Sequence, residues 1–369
     1  MNVYVTIKKK TVTDYGYVAA LTAICLLLLH YPNAMATGIS RGLSICSTVI
    51  IPTLYPFMLL AGLLANAPIC RCPGRIVNAV TRRLFGLPGC CGPAIVLSLV
   101  GGYPAGAIAI AQLRRRGQIT EEETQRMTVF CVNGGPGFIV STVGAGLLGN
   151  VRAGVLLFTA QVTVSVTFGI LLGKGHRHTP NIPYSSLPPR KPMAQIVSDT
   201  CASLLTMCGF VVLAAMGLAL AEGCGLTQGL AATCRVNTAT VSAILAAATE
   251  VSCGCMALAG SGTFTPLCLS LTLSWGGLSV QGQLAAVLPQ ERIISLRFWR
   301  WRWLHGLLSG GMAMVLFALF PIHRSTLQSD AAVIPYSVSV AATLMLLLLS
   351  FLAMLCFSNF SEKKTGNMS

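Results

Sequence analysis

Apolar residues run through this chain in stretches of about twenty, separated by short polar and basic segments. The stretches fall at residues 14–31, 43–67, 127–149, 154–172, 198–221, 264–288, 303–322 and 331–357. Runs of that length match the ~30 Å hydrocarbon core of a bilayer at 1.5 Å per helical residue. The apolar/polar alternation that outer-membrane strands require is absent from them. Two further apolar stretches, 93–113 and 236–260, are interrupted, the first by Gly101-Gly102-Tyr103-Pro104 and the second by Glu250. The pattern therefore predicts an all-α polytopic membrane protein with about eight transmembrane helices and two stretches that either cross or re-enter.

Charge decides between those options. If both interrupted stretches cross, three consecutive arginines, Arg114 to Arg116, land outside the membrane on the wrong side. If both re-enter, 21 of the 25 Lys and Arg residues share the side of Lys8 to Lys10, and only Arg41, Arg152, Arg235 and Arg324 oppose them. The positive-inside rule selects re-entry, with both termini cytoplasmic. Chemistry agrees, because 93–100 and 105–113 are each long enough for only half the bilayer. The glycines and proline between them disfavour continuous helix.

The chain divides where glycine, histidine, proline and basic residues replace apolar ones. Five segments follow. Residues 1–42 are an N-terminal transmembrane helix and outer loop, and 43–173 a first repeat. A cytoplasmic basic linker occupies 174–197, a second repeat 198–302, and C-terminal transmembrane helices and tail 303–369. Each repeat reads as a leading span, an interrupted hairpin and a crossing span with its own break. The crossing-span breaks are Phe130-Cys-Val-Asn-Gly-Gly-Pro-Gly137 and Leu273-Ser-Trp-Gly-Gly-Leu-Ser279. One hairpin enters from each side, so the halves form an inverted repeat. Interrupted segments at matching places in inverted halves point to a transport site near the membrane midplane.

Composition narrows the function. Of 369 residues, 54% are hydrophobic and 9% charged, against a usual charged share of about 25%. The net charge of +15 sits in loops without interleaved aromatics, which excludes nucleic acid and leaves attraction to membrane lipid. No hydrolytic triad, zinc-protease motif or phosphate loop occurs, so no enzyme, cofactor or metal site is expected. The fifteen cysteines lack zinc spacing and read as small apolar side chains. Lys8 to Lys10, the apolar run to Leu29 and Ala34-Met-Ala36 also resemble a signal peptide. Arg300-Trp-Arg-Trp-Leu304 and His305 read as an interfacial anchor.

The candidate site lies at the breaks. Glu250 reads as the only ionisable residue deep inside an apolar segment, where a charge costs roughly 2.5 kcal/mol or more. Three roles are open to it: binding a coupling proton or sodium ion, touching the solute, or acting as a structural hydrogen-bond donor. The solute-binding candidates are Ser98, Gly101, Gly102, Tyr103, Asn133, Gly134, Gly135, Ser252, Gly276, Gly277, Ser279 and Gln281. The amides of Asn133 and Gln281 both donate and accept, which suits a carboxylate or a polar heterocycle. Unwound helix ends add N–H groups for anions and carbonyls for cations. Nothing in the sequence decides the oligomeric state, and a homo-oligomer stays open.

The same residues resemble a known family. Ile51-Pro-Thr-Leu-Tyr-Pro-Phe57, Gly101-Gly-Tyr-Pro-Ala-Gly-Ala107, Arg116-Gly-Gln-Ile-Thr-Glu-Glu-Glu123 and Phe130-Cys-Val-Asn-Gly-Gly-Pro-Gly-Phe138 look like the sporulation integral membrane protein YlbJ family. So do Ser274-Trp-Gly-Gly-Leu-Ser-Val-Gln281 and Arg302-Trp-Leu-His305, and the resemblance covers residues 40 to 310. It implies a nucleoside-recognition gate domain, similar in architecture to concentrative nucleoside transporters. It also implies a role in endospore formation, moving dipicolinic acid across the outer forespore membrane. At Asn133-Gly134-Gly135 the chain departs from the family's Asn-Ser/Asn-Gly/Ser. A nucleoside or another small anion as solute, and a non-transporting scaffold of spore assembly, are the alternatives.

Overall fold

The computed structural model describes residues 15–67 except 17 and 20, together with 75–175, 190–288 and 295–322. The expected span 331–357, most of the basic linker and the first fourteen residues lie outside these. Among the described residues every regular element is a helix.

Helix α1 is Leu21–His30 and α2 runs Pro32–Asn66, 35 residues without a break. The expected outer loop before residue 43 is thus helical. Pro32 sits in the first turn, where its fixed φ favours initiation. Five residues, Cys46–Ile50, adopt π-helical bonding within α2. A short helix, α3 (Arg75–Phe85), follows, leaving Ile76, Val80 and Leu84 exposed at i, i+4 and i+8. Next come α4 (Cys91–Arg115), α5 (Glu121–Cys131), the π-helical α6 (Gly137–Leu147) and α7 (Val151–Gly173).

The second half begins with α8 (Met193–Gly223) and a short α9 (Leu226–Cys234). Helix α10 (Thr238–Thr249) then turns by 113° from α9. After it come α11 (Val251–Leu258), α12 (Thr265–Trp275), α13 (Gly277–Val287) and α14 (Leu296–Leu319). Among the described residues, four helices are long and apolar enough to cross a membrane on their own: α2, α7, α8 and α14. The expected spans 127–149 and 264–288 are the pairs α5–α6 and α12–α13, each broken where its glycines predicted. Helix α14 begins seven residues before its expected start, so the proposed boundary at 302/303 falls inside it.

Both interrupted stretches double back. In α4 a Cβ on Gly106 would lie 2.9 Å from the Cβ of Ser98; a straight helix would separate residues eight apart by about 12 Å. Similarly, a Cβ on Gly254 would lie 2.4 Å from the Cα of Ala247, seven residues back across Glu250.

The order of elements therefore repeats: α2, α3, α4, α5–α6 and α7 answer to α8, α9, α10–α11, α12–α13 and α14. Counterparts meet antiparallel. Gly38 and Gly42 of α2 pack on the backbones of Met216 and Val212 of α8. In the same sense, Gln161 and Ser165 of α7 bond to Ser309 and His305 of α14. Antiparallel counterparts are the relation that inverted halves require.

Gly38 and Gly42 form a small-xxx-small pair of the kind that lets membrane helices approach closely. A Cβ at Gly42 would sit 2.7 Å from the Val212 Cα. Overpacking of this kind costs about 1–3 kcal/mol. Gly42→Leu should therefore lower the melting midpoint of the detergent-solubilised protein by several degrees, measured by intrinsic tryptophan fluorescence.

Candidate functional site

All four breaks converge. At the tip of the first hairpin Gly102 has φ 75° and ψ −158°, a conformation that glycine alone adopts without strain. It lies so close to the α5–α6 break that a Cβ there would be 2.7 Å from the Gly135 nitrogen. The second half repeats the contact: a Cβ on Gly277, at the α12–α13 break, would lie 2.8 Å from the Cα and nitrogen of Glu250. In each half, then, the hairpin tip rests backbone to backbone on the break of the following crossing segment.

Carbonyls left over at these breaks are taken by aromatic side chains. The Tyr103 hydroxyl donates to the Leu273 carbonyl, joining the first hairpin to the second crossing segment. The Trp275 indole N–H donates to the Ala248 carbonyl at 3.1 Å. Unwound backbone at membrane depth needs such partners, because lipid offers none.

Between the tips lies a small cavity of about 30 Å³. Its polar wall is Tyr103, Glu250, Ser252 and Gln283; Leu54, Met58, Phe138, Met207, Val211 and Val280 make most of the apolar remainder. Glu250 is 3% exposed. One carboxyl oxygen, Oε2, accepts the backbone N–H groups of Ser252 at 2.7 Å and Cys253 at 2.9 Å, and the Ser252 hydroxyl lies 3.3 Å from Oε1. Glu250 is therefore the N-cap of α11, occupying the positive end of that half-helix. This capping role is additional to the three that the sequence left open.

Of the solute-binding candidates, Gly101, Gly102, Tyr103, Gly135 and Ser252 line the cavity together with Glu250. The others do not line it. Ser98 donates to its own helix at the Ile95 carbonyl, 2.7 Å away. Asn133 is turned toward α14, with its amide nitrogen 2.7 Å from the Phe130 carbonyl and its oxygen accepting from Arg302 at 3.0 Å. Gln281 accepts from Trp299 at 3.0 Å. Gly134 packs beside Ile139 and the Tyr103 hydroxyl, and Gly276 against Val280. Gly277 supports Glu250 from behind, and the Ser279 hydroxyl is buried without a partner.

The sequence reading missed a polar stripe on α14. Trp299, Arg302, His305 and Ser309 recur at helical spacing on one face. Arg302 is 2% exposed and His305 fully buried, so neither is an interfacial anchor and Glu250 is not the only ionisable residue in the interior. His305 bridges the Ser165 and Ser274 hydroxyls, each at 2.8 Å. Gln161 donates to Ser270 O, Ser274 and Ser309 at 3.0–3.2 Å. The stripe ties α7, α12 and α14 into one unit. Its i, i+3 recurrence was the available signal. Among the described residues, no three His, Cys, Asp or Glu side chains gather as a metal site.

Fold and site define an all-α integral membrane protein whose inverted halves bring three helix breaks to one cavity, with the fourth backing Glu250. Over 323 residues the chain is 26% identical to the sporulation integral membrane protein YlbJ of Bacillus subtilis (strain 168), covering 79% of each protein. The match supports the YlbJ family for this chain. No family model matches it, and no solved structure matches it significantly.

Proposed function

We propose that this protein is a secondary transporter that gives a small solute alternating access to the cavity between its hairpin tips. The observation that carries this reading is the meeting of four helix breaks, two from each inverted half, three of which line one cavity while the fourth supports Glu250 in its wall. Inverted repeats with discontinuous helices at the midplane are the architecture of secondary transporters. The relative's name as a sporulation integral membrane protein supports a sporulation role, and dipicolinic acid crossing the outer forespore membrane is the cargo we propose from the family resemblance. Both termini lie in the cytoplasm in this reading, following the basic loops. Glu250 couples transport to a proton or sodium ion, and the protein is not an enzyme.

The test is uptake into proteoliposomes of labelled dipicolinate and labelled nucleosides, with and without a proton or sodium gradient. The expected result is gradient-dependent dipicolinate uptake. Uptake of nucleosides alone would reassign the cargo. Uptake of neither would leave the protein a non-transporting component of spore assembly.

A further inference from the structure

We infer that Arg302 is the fixed positive charge of an anion-binding site, and that the solute it awaits is a carboxylate. The inference deepens the transport reading and rests on it for the choice of ligand. Arg302 is 2% exposed in a membrane-spanning helix. Its one hydrogen bond among the described residues runs from Nη1 to Asn133 Oδ1, a neutral acceptor, at 3.0 Å. A guanidinium carries five N–H donors and no acceptor. Buried charges are ordinarily paired, since an unpaired one bears the full cost of leaving water.

No carboxylate among the described residues supplies the pair. The acidic residues buried among the described residues are Glu123 and Glu250. Glu123 accepts from the Thr120 nitrogen at 2.8 Å, and Glu250 caps α11. Neither is in an ion pair with Arg302.

The unmet groups nearby share one chemistry. Trp299, one turn before Arg302, holds Gln281 by its oxygen, which leaves the buried Gln281 Nε2 without a partner. The remaining guanidinium nitrogens of Arg302 and the Gln281 amide nitrogen lack acceptors. That pattern fits an oxyanion and not a cation. A carboxylate would take the charge-assisted bond that Asn133 only partly replaces.

Access is short. Tyr103 lines the cavity, and its hydroxyl lies 3.4 Å from where a Cβ on Gly134 would be, next to the residue Arg302 holds. Tyr103, whose hydroxyl donates to the Leu273 carbonyl, thus stands between the cavity and the backbone next to Asn133.

The test uses the full chain in detergent, reading the shift of its melting midpoint with added dipicolinate, and with uridine as the neutral probe. Wild type should respond to dipicolinate and not to uridine. Arg302→Gln should weaken the dipicolinate response by about tenfold or more, with Arg302→Lys in between. Asn133→Asp should raise the midpoint without ligand, by supplying the missing counter-ion, and should abolish the dipicolinate response. It carries the test alone if Arg302→Gln fails to fold. A wild type that ignores dipicolinate, or an Asn133→Asp variant that keeps the wild-type response, would overturn the inference. These binding results stand whether or not uptake is seen, so failure of transport and failure of the anion site are distinguishable.

Discussion

Gly102→Ala should abolish solute movement and remove most of the folded protein. Two costs coincide at this position. Backbone at φ 75° and ψ −158° strains any residue with a Cβ, by about 1–3 kcal/mol. The new methyl would also meet the Gly135 nitrogen at 2.7 Å, forcing apart the tip and break on which the cavity is built. Gly209→Ala in α8 is the matched control, because nothing lies within 4 Å of its added Cβ. That variant should be neutral or slightly stabilising, since alanine is favoured over glycine in a helix by about 1 kcal/mol. Membrane yield, melting midpoint and uptake of the two variants make the comparison. A Gly102→Ala protein that melts with wild type would mean that the tip is looser than its geometry.

The Glu250 series should separate capping from coupling. Glu250→Leu leaves the Ser252 and Cys253 N–H groups without an acceptor in a buried site, at about 1–3 kcal/mol each, so it should be depleted from the membrane fraction. Glu250→Gln keeps an amide oxygen for the same two donors and should fold. It cannot release or take up a proton, however, and offers a sodium ion no charge. Its gradient-driven uptake should fall by about tenfold or more, a change of roughly 1.4 kcal/mol or more. Full transport by a well-inserted Glu250→Gln protein would reduce Glu250 to a helix cap.

The breaks themselves were legible from sequence, because each is written in residues that end helices: Gly101-Gly102-Tyr103-Pro104, Gly134-Gly135-Pro136 and Gly276-Gly277. The second hairpin was legible through the isolated acid at its tip. The facing of polar side chains was not. Whether Asn133 and Gln281 turn into the cavity or toward α14 depends on which helix packs beside them, and no local pattern encodes that. Arg302 was misread for a related reason. Its tryptophan-rich flank resembles a membrane interface, but α14 starts at Leu296, which carries Arg302 nearly two turns inside the helix. Residues 32–42 looked like a loop because of their proline, two glycines and arginine. The glycines prove to be contact points with α8, a tertiary use that composition cannot reveal.

The backbone-to-backbone seating of each hairpin tip has a mechanical consequence. With no side chain between Gly102 and Gly135, or between Glu250 and Gly277, neither tip has slack to slide over its own break. The compliant seam lies elsewhere, where Tyr103 of one half reaches the Leu273 carbonyl of the other. Opening that bond leaves a buried hydroxyl and a buried carbonyl without partners, at about 1–3 kcal/mol each. Each tip and its break therefore have to move as one body, and the seam between the halves, held also by Gly38 and Gly42 on α8 and by Gln161 on Ser309, has to yield as a whole.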